Sequence, residues 1–295
     1  MLKITTALMI LVASAAAGSA KLGDQTTELK PRPFSNGTIR LFQSDDRVLV
    51  MMRIGNGDLV PMVFDTGSDG HSFDHMLVRR DRLKSIGQTV EIDGTTGKRR
   101  TLSRYSYPDV SLGGLRVGRI EGVGLEYDRD DAMGIISSEM FVGNLVSLEL
   151  GRNRARILPR SGADVPTGPA THYKGPLPGI VVKLPDGSTQ LADLDTGYNG
   201  AISLPVSMMK TVSLMAPPTI VGRFRSIDTQ GDVYGAQVRG QIRVGPVVLS
   251  DPKVTFLGET INIGLPVIRR MNIVLDPEGK RSWAFDCTNS PRPTC

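Results

Sequence analysis

The chain is poor in the residues on which most enzyme chemistry rests. Its 295 residues include 2 cysteines, 3 histidines and 1 tryptophan, and aromatic residues make up only 5%. With His71, His75 and His172 alone and no Gly-x-Ser-x-Gly turn, a serine triad is not legible. His71 and His75 flank Asp74 at i,i+4 spacing, but no third histidine and no His-Glu-x-x-His accompany them. Both therefore read as exposed loop residues, and no metal is expected. The cysteines, Cys287 and Cys295, share the tail CTNSPRPTC, with no Cys-x-x-Cys and no histidine beside them. That excludes thiol chemistry and leaves a structural disulfide of the kind kept in oxidising compartments, or else two free thiols. Gly94-Thr95-Thr96-Gly97-Lys98 has the composition of a phosphate loop without its spacing, so no cofactor is expected.

Charge of one sign is not concentrated anywhere. Lys and Arg number 35 against 30 Asp and Glu, and the basic residues fall in short groups such as LVRRDRLK and GRNRARI. A nucleic-acid binder gathers its charge in one stripe and interleaves aromatics, so nucleic acid is not an expected partner. Past the first twenty residues no apolar run is long enough to span a bilayer, and stable membrane insertion is not expected. Those twenty, MLKITTALMILVASAAAGSA, place Lys3 before an apolar stretch and small residues ending at Ala20. This is the pattern of a secretory signal peptide over residues 1–20, cleaved after Ala20. The mature chain is expected in the periplasm or outside the cell.

What the sequence does contain is a repeat. VFDTGSDG at 63–70 returns as LADLDTGYNG at 191–200, and Asp65 and Asp195 stand 130 positions apart (195 − 65). One Asp-Thr-Gly arises by chance about one time in twenty in a chain this long, so the surroundings decide. Upstream of each lies an alternating apolar segment broken by a turn dipeptide, VLVMMRIGNGDLVPMVF and GIVVKLPDGSTQLADL, with Gly57 and Gly187 again 130 apart. Asn-Gly and Asp-Gly between alternating runs signal hairpins. Each Asp is thus expected to end the second strand of a hairpin.

Downstream the copies run in parallel at an offset of 127, pairing Ser137 with Gly264 and Glu149 with Asp276. Between these landmarks lie short β-rich runs with glycine turns, and helices are plausible only around HMLVRRDRLKSIG and LPVSMMKTV. The expected architecture is all-β, with two lobes of few short helices, residues 21–165 and 166–295. They join through a Gly-, Pro- and Ser-rich linker near 160–175. Residues 21–46 read equally as a propeptide or as a first strand.

If such lobes face each other about a two-fold axis, Asp65 and Asp195 meet. Two carboxylates about 3 Å apart cannot both ionise, so they share a proton and their pKa values move apart. One can then act as base toward a water while the other protonates a carbonyl oxygen. From about Val48 to Phe285 the chain resembles the aspartic proteases, the retropepsin-like and bacterial pepsin-like members in particular. The resemblance implies the pepsin-like fold of pseudo-two-fold β-barrel lobes, with Asp65 and Asp195 as catalytic carboxylates. It also implies Thr66 bonding to the carbonyl of Leu194, Thr196 to that of Phe64, and Gly67 and Gly197 as N–H donors to the carboxylates. A flap hairpin is expected over the cleft, with Gly94, Thr95 and Gly97, or Gly231, as candidates. The implied substrate is a peptide or protein segment in extended conformation, and the implied enzyme a monomeric aspartic endopeptidase. The alternative is a silent peptide-binding module of the same fold.

Two positions depart from the family pattern. Ser68 is small after its motif glycine, but Tyr198 is bulky. The apolar-apolar-glycine segment is Asn262-Ile263-Gly264 in the second copy but Ile135-Ile136-Ser137 in the first. A serine there requires negative φ and room for a hydroxyl. The Ser68 hydroxyl is expected to donate to the outer oxygen of Asp65, a bond Tyr198 cannot make to Asp195.

Overall fold

The computed structural model describes residues 36–93, 98–127, 131–225 and 230–287, together with a two-residue strand, Val12–Ala13. Among these, strands dominate. The α-helices are two short ones, His75–Arg80 and Leu265–Ile268, and a 3₁₀ turn spans Val206–Lys210.

Two hairpins set the frame. Val48–Ile54 pairs antiparallel with Leu59–Asp65, and Gly179–Lys183 with Thr189–Asp195. At the turns the Gly57 N–H donates to the Ile54 carbonyl at 2.9 Å and the Gly187 N–H to the Leu184 carbonyl at 3.0 Å, so the two turns close at equivalent positions. Gly187 has φ +88°, a conformation that costs glycine nothing and L side chains a good deal. Alternation places Val48, Val50 and Met52 in the core. Each Asp is the last residue of its strand.

Each Asp strand is then flanked on its other side by a parallel neighbour. Gly134–Ser137 lies against Leu59–Asp65 with Ser137 opposite Asp65, and Ile261–Gly264 lies against Thr189–Asp195 with Gly264 opposite Asp195. The strands leaving the Asp turns, His71–Asp74 and Ile202–Leu204, come back antiparallel to these neighbours. Each Asp turn is therefore held inside its sheet rather than at an edge.

A six-stranded antiparallel sheet joins the halves, in the order Gly37–Gln43, Arg154–Pro159, Asn144–Glu149, Met271–Asp276, Arg281–Asp286, Thr171–His172. Its two central strands are buried at every residue, because both of their faces are covered. Ser147 sits opposite Val274, and these two are related by the 127-residue offset of the repeat. The local two-fold axis thus passes between them. Glu149 and Asp276, also related by that offset, are both buried. Each is met by an arginine at the same offset, Arg154 at 2.6 Å and Arg281 at 2.7 Å. A buried carboxylate left unpaired would cost several kcal/mol, and pairing it on both sides of the axis keeps the sheet symmetric.

Gly37–Gln43 is a strand of this sheet that also pairs with Val48–Ile54, so from Gly37 onward the undecided N-terminal segment belongs to the fold. The linker contributes a 3₁₀ turn, Gly162–Asp164, and the edge strand Thr171–His172. One hydrophobic cluster includes Phe64, Phe73 and Phe141 from the first half and Leu194, Phe256 and Ile263 from the second. Of the expected leader only Val12–Ala13 is described, its backbone paired with Gly87–Asp93. Of the cysteine pair, Cys287 follows the last strand and Cys295 lies outside the described residues.

Candidate active site

The two Asp-Thr-Gly turns meet across the lobes. Thr66 Oγ1 donates to the Leu194 carbonyl and Thr196 Oγ1 to the Phe64 carbonyl, both at 2.7 Å. Each hydroxyl also accepts the other threonine's backbone N–H, at 3.0 and 3.1 Å. A hydroxyl offers one donor and two acceptor lone pairs. Two threonines therefore satisfy four buried backbone groups at the lobe junction, and serine or valine would lose part of the packing or all of the bonding.

The motif glycines are required by close approach. A Cβ on Gly67 would lie 2.5 Å from Asp195 Oδ1, and one on Gly197 would lie 2.5 Å from Asp65 Oδ2. The Gly67 N–H donates to Asp65 Oδ1 at 2.7 Å and the Gly197 N–H to Asp195 Oδ1 at 2.8 Å. The carboxyl groups of Asp65 and Asp195 are hydrogen-bonded to each other and buried.

Their electrostatics differ. Burial raises the pKa of both, and Asp65 is raised well above the carboxylate range, with the charge of Asp195 adding to the effect. Asp195 has extra stabilisation of its charged form, because Asn262 Nδ2 donates to its Oδ2 at 2.7 Å and the Tyr198 N–H to its Oδ1 at 3.0 Å. The shared proton therefore rests on Asp65 and the charge on Asp195. This reverses the polarity expected from Ser68, whose hydroxyl donates to the Gly70 carbonyl at 2.8 Å and is not available to Asp65. The extra donor comes from the second lobe instead. Its sequence signal was a polar residue, Asn262, where the other copy carries Ile135.

The Tyr198 and Ser137 departures are two sides of one packing exchange. A Cβ on Gly264 would stand 2.6 Å from Tyr198 Cδ1 and would also strike the Gly200 carbonyl, so glycine makes room for the tyrosine. The Tyr198 hydroxyl points away from the carboxylates and shares a 2.7 Å hydrogen bond with Thr255 Oγ1. In the first lobe Ser68 is small, and the equivalent space takes the Ser137 side chain. Ser137 has φ −81°, donates through Oγ to the Ser68 carbonyl, and accepts the Glu139 N–H at 3.1 Å.

His71 belongs to the same layer and is not the exposed loop histidine the sequence suggested. The Gly264 N–H donates to the Ala201 carbonyl at 3.0 Å, whereas the equivalent Ser137 N–H donates to His71 Nδ1 at 3.1 Å. Burial pulls this imidazole down to about 4, and with Nδ1 accepting it is neutral.

Each lobe also carries a long hairpin, Gly87–Asp93 with Arg99–Leu112 and Thr219–Arg225 with Gln230–Gln237. Their tips, 94–97 and 226–229, lie outside the described residues, and Gly94, Thr95 and Gly97 with them. Gly231 is not at a tip but in the strand opposite Phe224, whose ring would meet any Cβ placed on it.

No family model and no curated protein matches the sequence. Among solved structures, the chain is similar to the aspartic proteinase from Irpex lacteus at 12% identity. The match covers 88% of this chain and 100% of that one, with a TM-score of 0.51. The chain has the pepsin-like aspartic proteinase fold.

Proposed function

We propose that the chain is an aspartic endopeptidase that hydrolyses peptide bonds with a water activated between Asp65 and Asp195. The observation that carries the reading is the buried, hydrogen-bonded carboxyl pair, one member from each copy of the turn. In the reaction the Asp195 carboxylate takes a proton from the water as its oxygen attacks the amide carbon. Asp65 gives its proton to the carbonyl oxygen. The resulting gem-diol collapses when the amide nitrogen is protonated and the C–N bond breaks, releasing acid and amine and returning one proton to the pair. No covalent intermediate is needed. The threonine bonds and glycine N–H groups hold the two carboxyls in place beforehand, so little reorganisation accompanies the step.

The reading extends to a monomeric, exported enzyme acting on extended peptide segments, since both carboxylates come from one chain and the leader has a secretory pattern. Because burial raises both carboxyls, the one-proton state should lie above the ordinary carboxylate range. Incubating the chain from Lys21 with a mixed peptide library between pH 3 and 8 tests this. Internal cleavage that rises from the acid end and falls again as Asp65 ionises is the expected result. Binding of peptides without cleavage at any pH would assign the chain as a binding module instead.

A further inference from the structure

The row of residues two positions before the dyad differs sharply between the lobes. In the first lobe Leu49, Val63 and Ile135 stand side by side across three strands. In the second the same row reads Gly179, Asp193 and Asn262. Alternate residues of a strand share a face, so Asp193 lies on the face that carries Asp195, as Val63 does with Asp65. Val63 and Ile135 are closed over with Ala132, with Leu49 and Tyr127 packed against them. Asp193 remains partly exposed, and Leu191, two residues further along the same face, is 43% exposed.

The second-lobe row offers acceptors and few donors. Asp193 receives one hydrogen bond, from Thr260 Oγ1 at 3.0 Å, and among the described residues it makes no ion pair. Asn262 spends its amide N–H on Asp195, which leaves its Oδ1 buried and without a partner. Gly179 is buried and adds no polar group to the row. A Cβ there would meet Leu191 Cδ1 at 2.8 Å and Tyr173 Cβ at 3.0 Å, so these two already fill that place, and the partly exposed Leu191 is the apolar surface beside Asp193. A half-buried carboxylate and an orphaned carbonyl oxygen beside the exposed apolar side chain of Leu191 match a side chain with an aliphatic stem and a cationic, hydrogen-donating head.

We propose that Asp193 and Asn262 form a specificity pocket for lysine or arginine on the substrate residue that flanks the scissile bond on the second-lobe side. The proposal rests on the proteolytic reading. It makes the two sides of the cleavage point unequal, basic toward the second lobe and without that demand toward the first. Burial and the nearby Asp195 charge lift the Asp193 carboxyl to about 6, and a bound cation would favour its ionised form.

The test uses peptides matched except for lysine, norleucine or glutamate at each of the two positions flanking the cleaved bond. The wild-type chain should prefer lysine at one of them by at least tenfold in kcat/KM. Asp193→Asn should bring that ratio to within about threefold of unity, and Asp193→Lys should turn the preference toward glutamate. A lysine preference unchanged in Asp193→Asn, or absent from the wild type at both positions, overturns the proposal. If no peptide is cleaved, the proteolytic reading fails on its own, and fluorescence anisotropy of the labelled lysine and norleucine peptides then judges the pocket. Tighter binding of lysine that is lost in Asp193→Asn supports it, and equal binding overturns it.

Discussion

At the scale of single residues the site is asymmetric where the repeat is most regular, and Asn262 is the cause. Its amide stabilises the charged form of Asp195, so removing it should raise the pKa of that carboxyl. In the proposed reaction Asp195 must be ionised to accept the proton of water, so the acid limb of kcat/KM should move to higher pH in Asn262→Ile. A hydrogen bond to a charged group is worth about 1.5 to 3 kcal/mol, which corresponds to a shift of about one to two pH units. Ser68→Ala should leave the limb where it is, because that hydroxyl serves Gly70. A pair of pH–rate profiles on one peptide decides, and a limb that moves with Ser68 and not with Asn262 would contradict the assignment. A second residue-scale prediction follows from the Tyr198 exchange. Gly264→Ser should destabilise by about 3 kcal/mol or more, since it meets both a ring and a backbone carbonyl, while Ser137→Gly should cost only about 1 kcal/mol. Denaturant melts of the two variants measure this, and equal costs would mean that the two lobes are packed alike.

At the scale of elements, the hairpins were legible because alternation and turn dipeptides are local signals. The end of each strand at its Asp could be read from the same pattern. What could not be read was which donors reach the carboxylates. Asn262 is 67 residues from Asp195, and Ser137 meets His71 across 66. Such contacts depend on how strands stack rather than on their own sequence. The His71 contact also makes the layer under the first Asp turn sensitive to acid. The folded chain holds this imidazole neutral down to about pH 4, whereas the unfolded chain takes up a proton below about 6.5. Between those values the unfolded state binds more protons, so stability falls as pH drops from about 6.5 to 4 and is level below that. The full effect is about 3 kcal/mol. The raised carboxyls of Asp65 and Asp195 pull the other way, so the contribution must be read by difference. His71→Asn keeps an acceptor without a titration, and it should lose less stability than the wild type over that interval. Parallel stability curves for the two proteins would contradict the role.

At the scale of the molecule, the two offsets of the repeat have a physical meaning. The 130-residue offset relates the hairpins and the dyad, and the 127-residue offset relates the halves of the central sheet, where Ser147 faces Val274 and each buried carboxylate has its arginine. Both offsets relate parts of one chain, so the pair of carboxyls is assembled by folding and not by association. The most direct measurement of that claim is peptide hydrolysis by Asp65→Asn, by Asp195→Asn and by a mixture of the two, each checked for folding by circular dichroism. Each variant alone should lose activity by several orders of magnitude, because neither carboxyl can be base and acid at once, and mixing them should restore nothing. Substantial activity in either variant, or recovery on mixing, would contradict an intramolecular dyad.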